Sequence, residues 1–389
     1  MNDFTFYNPT HFVFGKNVEN SIGKYMKERG FQKALIVYGQ GSVVRSGLLD
    51  RVKASLSAED ISFLELSGIV PNPLSGPVYE GIELVKKHKI DVLVGLGGAS
   101  AIDTAKAIAF GALYDGDFWD FYARKAVIKA SMPVVAVPTI AAAGSESSNS
   151  SVITKEDINI KRGVNSEFIH PTIAIMNPEL TYTVPKNHKA YGVCDMMTHI
   201  FERYFTNTKD VNLTDEMCEG VLRAIMLAGP KVLSEPYDYA AHADIFWAGT
   251  IAHNNTLSTG REQDWSVHAM AHSVSAHFNG IHGAVLAVLY PYWMEYQLPH
   301  DVPRFARFAH KVMGVCPSGD LEKAAKEGIQ KLRNFFDSLN LPNRLGDFGA
   351  EEKDIPALVR DVEYRNQGRV GFFRPLSPED VEKIFRMAL

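Results

Sequence analysis

The chain has 389 residues, more than one hydrophobic core usually serves, so two domains are expected. Hydrophobic residues at 46% and charged residues at 22% suit a globular protein, and a net charge of −5 gives no reason to expect a nucleic-acid or membrane-surface partner. The start, Met1-Asn2-Asp3-Phe4, lacks the apolar run of a signal peptide, and no stretch reaches the roughly 18 apolar residues of a membrane span. Cys194, Cys218 and Cys316 are too scattered for a disulfide framework, which points to a reducing cytoplasm.

The first half alternates strands with helices. Residues 34–38 form an apolar run, followed by the glycines of Gly39-Gln40-Gly41-Ser42 and a helical pattern over 43–56. A strand is expected at 61–66, a helix at 76–88, a strand at 92–96 and a helix from Ala101. Further strands are expected at 134–137 and 173–176, with a hairpin excursion over 151–164. Continuous apolar runs, as opposed to alternating ones, suit a parallel sheet covered on both faces. The class is therefore α/β and doubly wound, over residues 1–182. Composition shifts near Asn177-Pro178-Glu179-Leu180. After Pro185 helical patterns follow one another at about 187–205, 212–233, 237–258, 263–278, 283–296, 302–314, 318–338, 352–362 and 378–388. Residues 183–389 thus read as an all-α domain.

Gly97-Gly98-Ala99-Ser100 lies between an expected strand and an expected helix. Glycines there allow close backbone approach to a phosphate, and the helix start offers N–H groups and a partial positive charge. The usual three-glycine dinucleotide fingerprint is absent, so a plain tight turn capped by Ser100 competes with this reading. A second cluster of small residues, from Thr139 to Glu146, follows another strand, and two such loops favour a nucleotide crevice.

Asp195 and His199 are spaced i, i+4 and share a helix face, apart from the apolar stripe of Val193, Met197, Ile200 and Tyr204. His268 and His272 repeat that spacing, and His282 follows the helix-ending Asn279-Gly280. One carboxylate and three imidazoles, Asp195, His199, His268 and His282, can form a mononuclear site suited to Fe(II), Zn(II), Ni(II) or Mn(II). His11, His88, His170, His188, His242, His253, His300 and His310 read as ordinary surface or core imidazoles, and His277 stays open. Trp265, Phe246, Trp247 and Phe278 read first as helix packing.

Taken together, residues 97–106, the loop from Pro138 to Glu146, Asp195 with His199, and the run from Asp264 to Gly283 resemble the iron-containing (group III) alcohol dehydrogenase family over nearly the whole length. The likeness is to its butanol dehydrogenase or broad-range aldehyde reductase branch. The resemblance implies a dehydroquinate-synthase-like fold with the active site in a cleft between the domains, Asp195, His199, His268 and His282 as metal ligands, and a homodimer built through the region 4–14. It also implies cofactor contacts from Asn72, Gly97, Gly98, Ser100, Asp103, Thr139 and Lys161, and a place near the nicotinamide for His272 as a proton relay. Two positions depart from the family pattern: Ala99 replaces a glycine, and Ala143 replaces a threonine.

No acidic residue lies between Tyr38 and Leu49, where NAD-selective members often carry Asp. Gly39, Gly41 and Ser42, with Arg45 nearby, favour NADP(H) over NAD(H). The expected activity is metal-dependent oxidation of primary alcohols and reduction of aldehydes such as butanal. The alternatives are a dehydroquinate-synthase-like lyase, for which 195–282 holds no obvious basic cluster, and a non-enzymatic nucleotide- or metal-binding module.

Overall fold

The computed structural model of the chain describes residues 1–389 apart from 159, 318 and 366. It divides into two compact units: Tyr7–Val184, and Pro185–Leu389 together with Met1–Phe6.

The first unit is a six-stranded sheet whose neighbouring strands are all parallel. Its strands are β1 (His11–Phe14), β2 (Lys33–Gly39), β3 (Ser62–Ile69), β4 (Val92–Gly97), β5 (Val134–Pro138) and β8 (Ile173–Met176). They lie in the order β1-β8-β5-β4-β2-β3. The apolar runs are continuous because both faces are covered. Leu35, Val37 and Leu93 enter one core, while Ala34, Ile36, Tyr38, Val92, Val94 and Leu96 enter the other. Gly95 allows the Ala99–Gly111 helix to lie against β4, since a Cβ there would come within 2.8 Å of Ile102 Cα.

After β2 the chain places β3 on one side of it and β4 on the other. The order therefore reverses between β2 and β4, and the carboxyl ends of these strands flank the crevice where doubly wound sheets take their ligands. The excursion after β5 is an antiparallel hairpin, β6 (Ser150–Lys155) with β7 (Ile160–Asn165). The pattern over 43–56 is not one helix. Gly47 adopts φ of 68° and separates Ser42–Arg45 from Leu48–Ser57.

The second unit is helical, and its helices follow the expected succession: Lys186–Tyr204, Asn212–Val232, Tyr239–His253, Ser266–Phe278, His282–Gln297, Val302–Lys311, Leu321–Ser338, Ile355–Arg360 and Pro378–Ala388. Its core holds interlocked rings, with Phe205 against Tyr204, Trp293, Phe305, Phe308 and Phe373. Asp215 is buried between Arg261 at 2.7 Å and Arg304 at 2.6 Å, so its charge is paired and not stranded. The first six residues belong here and not to the α/β unit in which the 1–182 division would place them. Asn2 donates its N–H to Gly260 O at 2.9 Å, and the Met1 ammonium donates to Lys209 O at 2.9 Å. Among the described residues no helix is long and apolar enough to cross a membrane.

Candidate metal centre and nucleotide loops

The Lys186–Tyr204 helix carries Asp195 and His199, each 4% exposed, beside Val193, Met197, Ile200 and Tyr204 at 0%. The polar face is thus nearly as enclosed as the apolar stripe. Gly283 explains how His282 reaches Asp195. A Cβ at Gly283 would fall 2.1 Å from Tyr191 O, so the His282–Gln297 helix meets the Lys186–Tyr204 helix backbone to backbone. Donor atoms of Asp195, His268 and His282 lie within 4.8 Å of one another, spaced as a single metal ion requires. His199 borders this set without belonging to its tightest grouping. Its Nε2 is 3.9 Å from an Asp195 carboxylate oxygen, and its ring centroid is 4.8 Å from that of His268.

The protonation chemistry suits a cation. Glu202 accepts from His268 Nδ1 at 2.7 Å, from His268 N at 3.1 Å and from Trp265 N at 2.7 Å. A carboxylate on Nδ1 fixes the proton there and leaves the Nε2 lone pair for a metal. Burial raises the Glu202 carboxyl, while the backbone N–H groups of His268 and Trp265, and then the Arg203 charge, pull it back toward the carboxylate. Burial, then the neighbouring His253 and His268, hold His199 well below the ordinary imidazole value, so it is neutral and able to ligate. A neutral nitrogen set with one carboxylate is the kind of donor set that Fe(II) or Zn(II) takes.

Trp265 sits immediately before the Ser266–Phe278 helix with φ of 65°, a conformation that bulky residues rarely adopt. Its indole packs against the rings of His199, His253 and His268, and the Arg203 guanidinium stacks on it with the carbon 4.8 Å from the ring centroid. The unusual backbone delivers this ring and the Glu202-bound N–H together. His272 has its ring centroid 5.3 Å from that of His282.

In the α/β unit, Gly97 ends β4 with φ of 139°, Gly98 caps the following helix and Ser100 lies in its first turn. The cap is therefore Gly98 and not Ser100, and Ala99 does not adopt positive φ, which is why the family's glycine is dispensable there. Thr139 N donates to Gly97 O at 2.9 Å, which sets the two small-residue loops side by side. Asp103 accepts from Ser145 Oγ at 2.5 Å and from Val152 N at 2.9 Å, so its carboxylate ties the helix to the second loop and the hairpin. Lys161 donates to Asn72 Oδ1 at 2.8 Å, joining the hairpin to the loop after β3. At the end of β2, Gly39 and Gly41 lead into Ser42, and Gly41 has φ of 130°. A Cβ at Gly41 would lie 3.1 Å from Arg45 Nη1, so the exposed guanidinium folds over this turn.

The profile described as iron-containing alcohol dehydrogenase matches residues 9–178, and that of the Fe-containing alcohol dehydrogenase family, C-terminal, matches residues 189–389. The chain belongs to the iron-containing alcohol dehydrogenase family. It is 41% identical to the probable NADH-dependent butanol dehydrogenase 2 of Bacillus subtilis, with 100% of each chain covered. It is 31% identical to the NADPH-dependent aldehyde reductase YqhD of Escherichia coli, again with 100% of each covered. The crystal structure of NADH-dependent butanol dehydrogenase A from Thermotoga maritima superposes with a TM-score of 0.96 at 37% identity, covering 100% of this chain and 99% of that one. The fold is accordingly that of this family, the protein is an oxidoreductase of the alcohol dehydrogenase class, and its chemistry draws on NAD(P)H and a divalent metal.

In this iron-containing alcohol dehydrogenase, sequence reasoning missed Glu202, Arg203 and His253. Glu202 stands three residues after His199 and seven after Asp195, so helical periodicity alone puts it on their face. His253 carried no spacing signal, yet its ring centroid is 4.2 Å from that of His199.

Proposed function

We propose that the protein interconverts primary alcohols and aldehydes such as butanol and butanal by hydride transfer, with NADP(H) as the favoured coenzyme. The observation that supports this most is the set formed by Asp195, His268 and His282, with His268 tautomerised by Glu202. We assign Asp195, His199, His268 and His282 as ligands of one divalent ion, Fe(II) or Zn(II). Such an ion would supply Lewis acidity toward the substrate oxygen, while the bound coenzyme supplies or accepts the hydride.

The chain's own residues hold the reacting groups and manage the proton. Glu202 keeps the proton of His268 on Nδ1, and the burial around His199 keeps that imidazole neutral. His272, next to the His282 ring, is assigned to pass the proton to the nascent alkoxide. Gly97, Gly98 and Ser100 are assigned to the coenzyme phosphates through backbone N–H groups at a helix start, and Thr139, whose own N–H is engaged with Gly97 O, is assigned to the same site through its side chain. Asn72, Asp103 and Lys161 belong to the same coenzyme site, and their mutual and loop contacts support a role in shaping it. For NADP(H), Gly39, Gly41 and Ser42 provide an open turn, Arg45 provides a cation over it, and no carboxylate lies between Tyr38 and Leu49 to repel a 2′-phosphate. The relatives' names point both ways on this choice.

The decisive test is butanal reduction by metal-reconstituted protein with NADPH and with NADH. Absence of turnover with both refutes the function, and a higher kcat/KM with NADH refutes the coenzyme preference. A homodimer formed along the edge strand β1, where Phe14 is part exposed, is proposed with it, and a monomer by light scattering would refute that. Three free cysteines, Cys316 exposed, accord with a reducing cytoplasm.

A further inference from the structure

Lys106 lies in the Ala99–Gly111 helix with no exposed surface. Its Nζ donates to Ser148 O at 3.0 Å, to Ser148 Oγ at 3.2 Å and to Ser150 O at 3.0 Å. Three oxygens match the three N–H groups of an ammonium, whereas a neutral amine would turn its lone pair toward one of them. Asp103, about one turn earlier on the same helix, supplies the complementary chemistry. Its carboxylate accepts from Ser145 Oγ at 2.5 Å and from Val152 N at 2.9 Å. Within the loop, Ser147 N and Ser148 N both turn to Gly144 O, at 3.2 and 3.1 Å, and Gly144 has φ of 62°. The helix that starts at Gly98 therefore fixes the far side of the second small-residue loop through one acceptor and one donor of its own.

We propose that Lys106 is a positioning residue whose ammonium holds loop 144–150 in the shape that takes the coenzyme, so that coenzyme affinity depends on this proton. This rests on the reading above, in which the loops opened by Gly97 and Thr139 take the coenzyme. Burial pushes the ammonium down to about 8, against the pull of Asp103 and then Glu146. Other titratable groups stand around it. Asp103 on its own helix and Glu146 in the loop are the acids. His170, whose Nδ1 meets Ser147 O at 2.8 Å, is held by burial below the ordinary imidazole value. Tyr122, whose hydroxyl meets Ser151 Oγ at 2.7 Å, is raised by burial well above the ordinary phenol value. Lys161, on β7, adds a second positive charge that reaches Asp103. Above about 8 the free enzyme sheds the Lys106 proton, one of the three oxygens loses its donor, and the loop is released from its binding shape. Affinity is thus full below that pH and falls above it.

The test measures dissociation constants of NADPH and NADH on metal-loaded protein by nicotinamide fluorescence across the alkaline range. The parent should bind both coenzymes about tenfold more weakly at about pH 9.5 than at about pH 7. Lys106→Met should bind weakly throughout, with no step, and its KM for coenzyme at about pH 7 should rise about tenfold, more than kcat falls. Ser148→Ala removes one of the three acceptors, disfavours the ammonium and should move the step to lower pH. That variant decides the matter where Lys106→Met fails to fold. A flat profile for the parent overturns the proposal, as does an unmoved step in Ser148→Ala. A step that persists in Lys106→Met also overturns it and passes the titration to Lys161. A step seen with NADPH and not with NADH overturns it too, since the 2′-phosphate would then carry the effect. Each of these leaves the dehydrogenase reading intact. Failure of the parent to bind either coenzyme at any pH refutes that reading and this inference with it.

Discussion

Replacing Glu202 by glutamine changes little volume and isolates a tautomer. In the parent, two carboxylate oxygens accept from three N–H groups: His268 Nδ1 at 2.7 Å, His268 N at 3.1 Å and Trp265 N at 2.7 Å. An amide has one oxygen to offer. If that oxygen faces His268, the amide NH2 confronts the N–H of Trp265, and a buried donor is left unanswered at a cost of about 1–3 kcal/mol. If the amide flips, its NH2 drives His268 Nδ1 to accept, moves the proton to Nε2 and removes the lone pair that a metal needs. Either way metal affinity should fall by roughly 10- to 100-fold, which is about 1.4–2.7 kcal/mol. Chelator competition with Co(II) or Zn(II) measures the dissociation constant, and the visible Co(II) spectrum reports the ligand field. A glutamine variant that binds metal within about twofold of the parent would refute the claim that Glu202 sets the tautomer of His268.

Gly283→Ala should lower the melting temperature and the metal content together, because the added Cβ meets Tyr191 O at 2.1 Å; overpacking of this kind costs about 1–3 kcal/mol, and an unchanged thermal transition would count against the close helix crossing. Arg45→Ala should cut the NADPH-to-NADH ratio of kcat/KM by roughly tenfold, the worth of one charge-assisted contact, and a steady ratio would remove Arg45 from coenzyme choice. For His242, burial and then the Lys189 ammonium push the imidazole down to about 4, so the fold holds it neutral. Below about pH 6.5 the unfolded chain takes up a proton that the folded chain refuses, and stability falls with pH until about 4. His242→Leu should remove a pH-dependent component on the order of 2–3 kcal/mol across that window in denaturant titrations, and parallel curves for parent and variant would refute it.

The α/β sheet was readable because buried parallel strands need unbroken apolar runs, and the helices after Pro185 because their periodicity is strong. The break at Gly47 was not, since a single glycine inside a helical pattern does not by itself announce positive φ. That Asp195, His268 and His282 come together, with His199 at their border, was legible from spacing and from the family resemblance. What surrounds them was not. The contact of Glu202 with His268 depends on a hydrogen bond spanning 66 residues, and the place of His253 beside His199 on a ring brought in by a different helix. Asp103 read as a coenzyme contact, while its carboxylate is engaged with Ser145 and Val152, partners that pairing across the loop alone reveals.

The six residues at the start of the chain have a consequence for how the molecule is made. Their hydrogen-bond partners, Lys209 and Gly260, are synthesised only after the entire sheet. The α/β unit is thus an insertion between the first segment of the helical unit and the remainder of it. The sheet can close on itself while translation continues, but the helical unit is discontinuous and must retrieve a segment made before the sheet. Severing the chain at 184 would not yield two self-contained pieces: the segment 1–6 would leave with the wrong half.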